Sequence, residues 1–136
     1  MSGRSAVFTL LSTDAELVSA FGINSSRVWP AQALDTAPRK GPFLIIRWEE
    51  TDRGQNLASR SEVMTVWAHS PRESSTDFAT LDLILSRVEE LLLAVEHLSG
   101  TDGTITQIDF NGQSPDLNDE GYKTITKNSA FRVVSR

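Results

Sequence analysis

The stretch from Ser75 to Leu98 constrains the fold more than any other part of the chain. Phe78, Leu81, Ile84, Leu85, Val88, Leu91, Leu92 and Val95 recur at steps of three and four residues, which brings their side chains onto one face of an α-helix. Ser75 or Thr76 is the expected N-cap, since a hydroxyl there accepts from an orphan amide of the first turn. Asp77 then adds negative charge near the positive end of the helix dipole. Gly100 is the expected stop, because glycine reaches the left-handed conformation that closes a helix. At about 1.5 Å per residue such a helix runs roughly 35 Å. One apolar stripe of that length requires a partner surface, most simply a β-sheet.

Strand signals lie on both sides of that helix. Ser12 to Phe21 reads as a short helix, with Ser12, Thr13 and Asp14 as caps, Leu17, Val18 and Phe21 as its apolar edge and Gly22 as its stop. Arg27-Val28-Trp29 is a short extended piece, and Pro30 to Pro42 is a proline-rich loop. Phe43 to Glu49 is apolar on both faces at its start, as an interior strand is, and is expected to be central beneath the long helix. Glu50 to Ser61 is polar and reads as a loop or projecting arm. Glu62 to His69 is a second strand, with Met64, Val66 and Ala68 on one face and Val63, Thr65 and Trp67 on the other. Ser70 to Glu73 turns the chain into the helix. Beyond Gly100, Thr104 to Phe110 alternates weakly, with Thr106, Ile108 and Phe110 opposed to Ile105, Gln107 and Asp109. Asn111 to Gly121 is a polar loop around Pro115, and Tyr122 to Val134 is a long threonine-rich strand. The pattern predicts a single α+β domain over residues 1–136. Its mixed or antiparallel sheet has about four to five strands, with the long helix and the shorter N-terminal helix on one face.

The totals narrow the chemistry. A chain of 136 residues is long enough to bury about two-thirds of its unfolded surface around one core. With no cysteine, disulfides, thiolate metal sites and thiol nucleophiles are excluded. No apolar run approaches the roughly 18 residues of a membrane span, and the N-terminal residues lack the pattern of a signal peptide, so synthesis in a cytoplasm is expected. A formal charge of -5 argues against a general phosphate-binding surface.

Candidate chemistry is sparse. His69 stands at a strand end and His97 in the expected last turn of the helix, where the dipole alone explains it; neither has a nearby serine-centred elbow or a second ligand at metal spacing. Asp109, Asp116, Asp119 and Glu120 offer oxygen ligands at short spacing but out of register with a calcium loop, so a solvated loop is the better reading. Glu49, Glu50 and Asp52 beside Arg47 and Arg53 read as a charged strand rim rather than an acid–base pair. Trp29, Trp48 and Trp67 fall on three extended segments and suit a core or a subunit interface. Glycine-rich phosphate loops are absent, and no cofactor is expected.

The order of segments resembles the tail-terminator, or tail-completion, proteins of long-tailed bacteriophages. Arg27-Val28-Trp29-Pro30 before a proline-rich loop, the strand opening Pro42 to Ile46, and the strand-to-helix passage Val66 to Leu92 carry the resemblance over most of the chain. The resemblance implies a virion protein without catalytic residues. Such a protein assembles as a hexameric ring at the head-proximal end of the tail tube, stops tube growth and presents a surface to neck or head-completion proteins. DNA would pass through the ring without specific binding. Docking elements are expected in the two polar loops, with Arg53 and Arg60 in one and Asp116, Asp119 and Glu120 in the other. The alternatives are another head–tail connector or neck protein, or a small α+β enzyme or ligand-binding domain with its site around Asp109 to Glu120.

Overall fold

A computed structural model describes residues 3–29, 40–52, 60–73, 76–101 and 103–136. Three helices, α1 (Arg4–Ser12), α2 (Ala15–Phe21) and α3 (Phe78–Leu93), accompany seven strands: β1 (Val28–Trp29), β2 (Phe43–Asp52), β3 (Arg60–Pro71), β4 (Leu98–Gly100), β5 (Gly103–Gln113), β6 (Leu117–Asp119) and β7 (Thr124–Ser135). All seven belong to one sheet in the order β1-β2-β3-β7-β5-β4, with β6 also beside β7. Only β1–β2 is parallel among these pairs. The expectation of an α+β domain with four to five strands under a long helix is therefore corrected. The molecule is mostly sheet, seven strands in all, with short helices.

The helix of the sequence reading shrinks at both ends. Asp77 is the N-cap of α3, its carboxylate accepting from the Ala79 amide at 2.9 Å, and the helix stops at Leu93 after 16 residues. Leu91, Val95 and Leu98 are half-buried against the core, but Leu98 reaches it from β4, where it pairs with Ile105. Periodicity registers which residues face inward and not the backbone that carries them, so it ran on past the true end. His97 is accordingly an exposed loop residue and not part of a last helical turn. Gly100 closes no helix; it lies in β4, where an added Cβ would come within 2.6 Å of Ser5 Oγ and 2.9 Å of the Ala6 amide nitrogen. The close approach of α1 to β4 needs glycine there.

The N-terminal helical region is two helices. Asp14 caps α2 by accepting from the Leu17 amide at 3.0 Å, and Gly22 ends it in the left-handed region, φ 70°. The preceding helix α1 has no side-chain cap, only Gly3 at φ 72°, which is why its start carried no signal. Ala6, Val7 and Leu11 still give it a buried face at helical spacing.

Strand boundaries shift in the same manner. The loop expected from Glu50 to Ser61 is taken up at its ends by β2, through Asp52, and by β3, from Arg60; residues 53–59 lie outside the described ones, as do 30–39 of the proline-rich loop. Ser70 and Pro71 belong to β3 and not to a turn. Asn111 to Gly121 is not one free loop: its start completes β5 and residues Leu117–Asp119 form β6 against Thr126 to Thr124. In β5 a bulge between Ile105 and Gln107 changes the parity, so Ile105 and Ile108 are both buried where strict alternation opposed them.

β2, expected at the centre, is one strand in from the edge, and the centre is β7, which pairs with β3, β5 and β6. The polar character of β7 hid this. Its buried hydroxyls are satisfied, since Thr126 donates to the Ala68 carbonyl at 3.0 Å and Ser129 to Glu89 on α3 at 3.1 Å. Leu44, Ile46, Met64, Val66, Ala68, Phe131 and Val133 form the helix-side face. α3 covers it with Leu81, Ile84, Leu85, Val88 and Leu92, all fully buried and each contributing about 1.5–3 kcal/mol.

Candidate interaction site

Among the described residues the other face of the sheet bears no helix, and its residues follow from the strand register. Phe43 pairs with His69, Ile45 with Trp67 and Arg47 with Thr65, so on this face of the β2–β3 hairpin three rows lie side by side. The turn between β6 and β7 brings Tyr122 over the first row, with Lys123 at φ 56°. The Tyr122 ring stands edge-on to Phe43 and His69, at 6.4 and 5.6 Å between centroids. Phe43 stacks on His69 at 4.9 Å and nearly parallel, and Trp29 of β1 meets Phe43 edge-on at 5.6 Å.

Between the turn and the hairpin is a cleft of about 210 Å³ lined by Ile45, Arg47, Trp67, His69, Asp119 and Tyr122. His69 is 3% exposed, with Nδ1 2.8 Å from Thr124 Oγ1. Burial pushes its pKa down to about 4, opposed by the Asp119 carboxylate, so the ring is neutral at physiological pH. Asp119 Oδ1 accepts from the Tyr122 amide at 2.9 Å, which fixes the turn. Arg47 at the rim is 3.7 Å from Glu49.

The residues singled out from the sequence do not come together. Arg53 lies outside the described residues; Arg60 opens β3 opposite Ser135, its side chain likewise outside them. Asp116 turns to the helix side, 3.5 Å from Lys127 Nζ, which also binds Asp82 of α3 at 2.6 Å. Glu120 is paired with Arg72 at 3.3 Å, and Asp109 accepts from Gln107. Of the three interface candidates whose side chains are described, Asp116, Asp119 and Glu120, only Asp119 lines the cleft. Trp67 does so as well, whereas Trp48 lies on the helix side with the Arg4 guanidinium 5.2 Å from its ring centre. Arg4 in turn holds the buried Glu62 at 2.6 Å. Sequence reasoning missed the cleft because Tyr122 arrives from a turn 53 to 55 positions away in the chain. The signal it had was the shared face of Trp67 and His69, two residues apart on one strand.

No protein-family model and no curated protein sequence matches the chain. Among solved structures, its fold is similar to that of a chain in the virion of a native gene transfer agent particle. The TM-score is 0.73 at 17% identity, over 98% of this chain and 94% of that one. At that identity the likeness is one of fold. Among the described residues no helix is long and apolar enough to cross a membrane.

Proposed function

We propose that this protein is a structural component of a phage-like virion and, within it, the tail terminator. In that role it forms a hexameric ring at the head-proximal end of the tail tube, halts tube growth and offers its other surface to a neck or head-completion protein. It works by closed head-to-tail association and not by catalysis. The observation that carries the reading is the fold shared, over nearly the full length of both chains, with a chain of a gene transfer agent virion. The segment order around Arg27 to Pro30, Pro42 to Ile46 and Val66 to Leu92 supports the finer assignment to the terminator. A net charge of -5 suits a ring that lets DNA pass without retaining it. The protein would be made in the host cytoplasm and reside in the virion tail.

The test is the solution mass by light scattering at several concentrations, with and without purified tail tubes. A hexamer, or a monomer that becomes one on tubes, is the expected result. A monomer or dimer indifferent to tubes overturns the terminator role, and a hexamer that binds neck protein but not tubes transfers it to a connector.

A further inference from the structure

Five asparagines stand in the chain, at positions 24, 56, 111, 118 and 128, and only Asn111 is followed by glycine. The fold puts this pair where the backbone is open to water. In β5 the register passes from Phe110 opposite Phe131 to Gln113 opposite Ser129, so Asn111 and Gly112 together face Ala130 alone, a bulge that leaves one residue out of the ladder. Gly112 holds φ 118°, and a Cβ built on it would meet nothing within 4 Å. β4 borders β5 only at Gly103 to Ile105, so among the described residues no strand flanks the outer edge at the bulge. Asn111 itself is exposed. The other described asparagines are held: the Asn24 side chain accepts from the Ser26 amide and hydroxyl, Asn118 pairs with Ile125, and Asn128 pairs with Trp67.

We infer that Asn111-Gly112 is a site of self-modification in the folded protein, with water as the co-reactant. The Gly112 amide nitrogen gives its proton to solvent base and attacks Cγ of Asn111, forming a C–N bond. The Cγ–Nδ2 bond breaks, and Nδ2 takes a proton from water and leaves as ammonia. One water then opens the cyclic imide at either carbonyl, giving aspartate or isoaspartate, with nothing oxidised or reduced. Glycine eases the ring closure because the attacking residue has no side chain to crowd Cγ. Either product adds a negative charge close to Asp109. Isoaspartate also carries the main chain through its side-chain carbon, which lengthens the backbone at the bulge beside the exposed Phe110. The chemistry does not depend on assembly.

The experiment incubates the full chain at neutral and at mildly alkaline pH, beside the free peptide spanning residues 109–114, in ordinary and in heavy-oxygen water. Peptide mapping by mass spectrometry, with electron-transfer fragmentation to tell aspartate from isoaspartate, follows each asparagine. The expected result is first-order conversion at Asn111, faster at the higher pH, with both acids formed and heavy oxygen taken up. Because a bulged edge needs little opening, the rate in the folded chain should stay within about tenfold of the peptide's. Asn24, Asn118 and Asn128 should remain amides. Gly112→Ala should lose most of the conversion, and circular dichroism checks that it folds. Asn111→Gln leaves Gly112 and its conformation in place and should yield no acid at that position, since its ring would be one atom larger. A folded-state rate below that bound, aspartate without isoaspartate, equal conversion of the other asparagines, or an unchanged rate in folded Gly112→Ala overturns the inference.

Discussion

His69 is a neutral imidazole enclosed by Phe43, Tyr122 and Thr124, and its enclosure has a pH signature. Its pKa falls from about 6.5 in the unfolded chain to about 4 in the fold. The unfolded state therefore binds the proton first: the contribution is complete above pH 6.5 and is lost as pH falls toward 4. The loss over that window is on the order of 3 kcal/mol. Urea titrations at steps of pH should show this slope in the wild type and a flatter profile in His69→Gln; parallel profiles would mean that the ring is not held neutral. Asp14 works at a lower pH. Hydrogen bonding to Arg87, at 2.8 and 3.0 Å, holds its carboxyl below the ordinary aspartate value. Its contribution is present above about pH 4 and disappears as pH falls through the lowered value. Asp14→Asn keeps the cap on α2 and loses the ion pair, so its deficit in stability should be full at pH 7 and vanish once pH has fallen below the lowered Asp14 value. Asp14→Ala also loses the cap and should cost about 1 kcal/mol more at every pH, read in the same titrations.

Helix α3 is held by its buried face, so its residues should divide sharply in urea denaturation. Leu85→Ala or Leu92→Ala leaves a cavity in a fully buried site and should cost about 2–5 kcal/mol, whereas Leu83→Ala, at a position 61% exposed, should stay within about 0.5 kcal/mol. Gly100→Ala tests the contact of β4 with α1, since its Cβ would press on the Ala6 backbone. A loss of about 1–3 kcal/mol is expected. These elements also separate what the sequence could and could not convey. The inward set of α3, the faces of β3 and the stop at Gly22 were legible because each depends on local spacing or a local conformation. The end of α3, the bulge after Ile105 and the existence of β4 and β6 were not, because tertiary pairing decides them. Within the cleft, the common face of Trp67 and His69 could be read, but the arrival of Asp119 and Tyr122 could not, because it depends on β6 pairing with β7.

At the level of the whole molecule, assembly and folding make separate demands on the chain. If the proposed ring makes contacts through the stretch Glu50 to Ser61, replacing Arg53 and Arg60 with glutamate should abolish the proposed hexamer in light scattering while the circular-dichroism spectrum stays that of the wild type. Unchanged assembly would remove that segment from the interface. Folding depends on a different strand. β7 lies between β3 and β5 and follows the other described elements, and its pairs with β3 join positions such as Met64 and Phe131. A ribosome releasing this chain delivers the hairpin of β2 and β3 and the helices well before the strand that unites them. During that interval the long edge of β3 has no mate, and closing the sheet requires a search across more than fifty residues, which slows it. The nascent chain is then most exposed to pairing with a copy of itself, so the yield of native protein should depend on concentration and on the speed of synthesis.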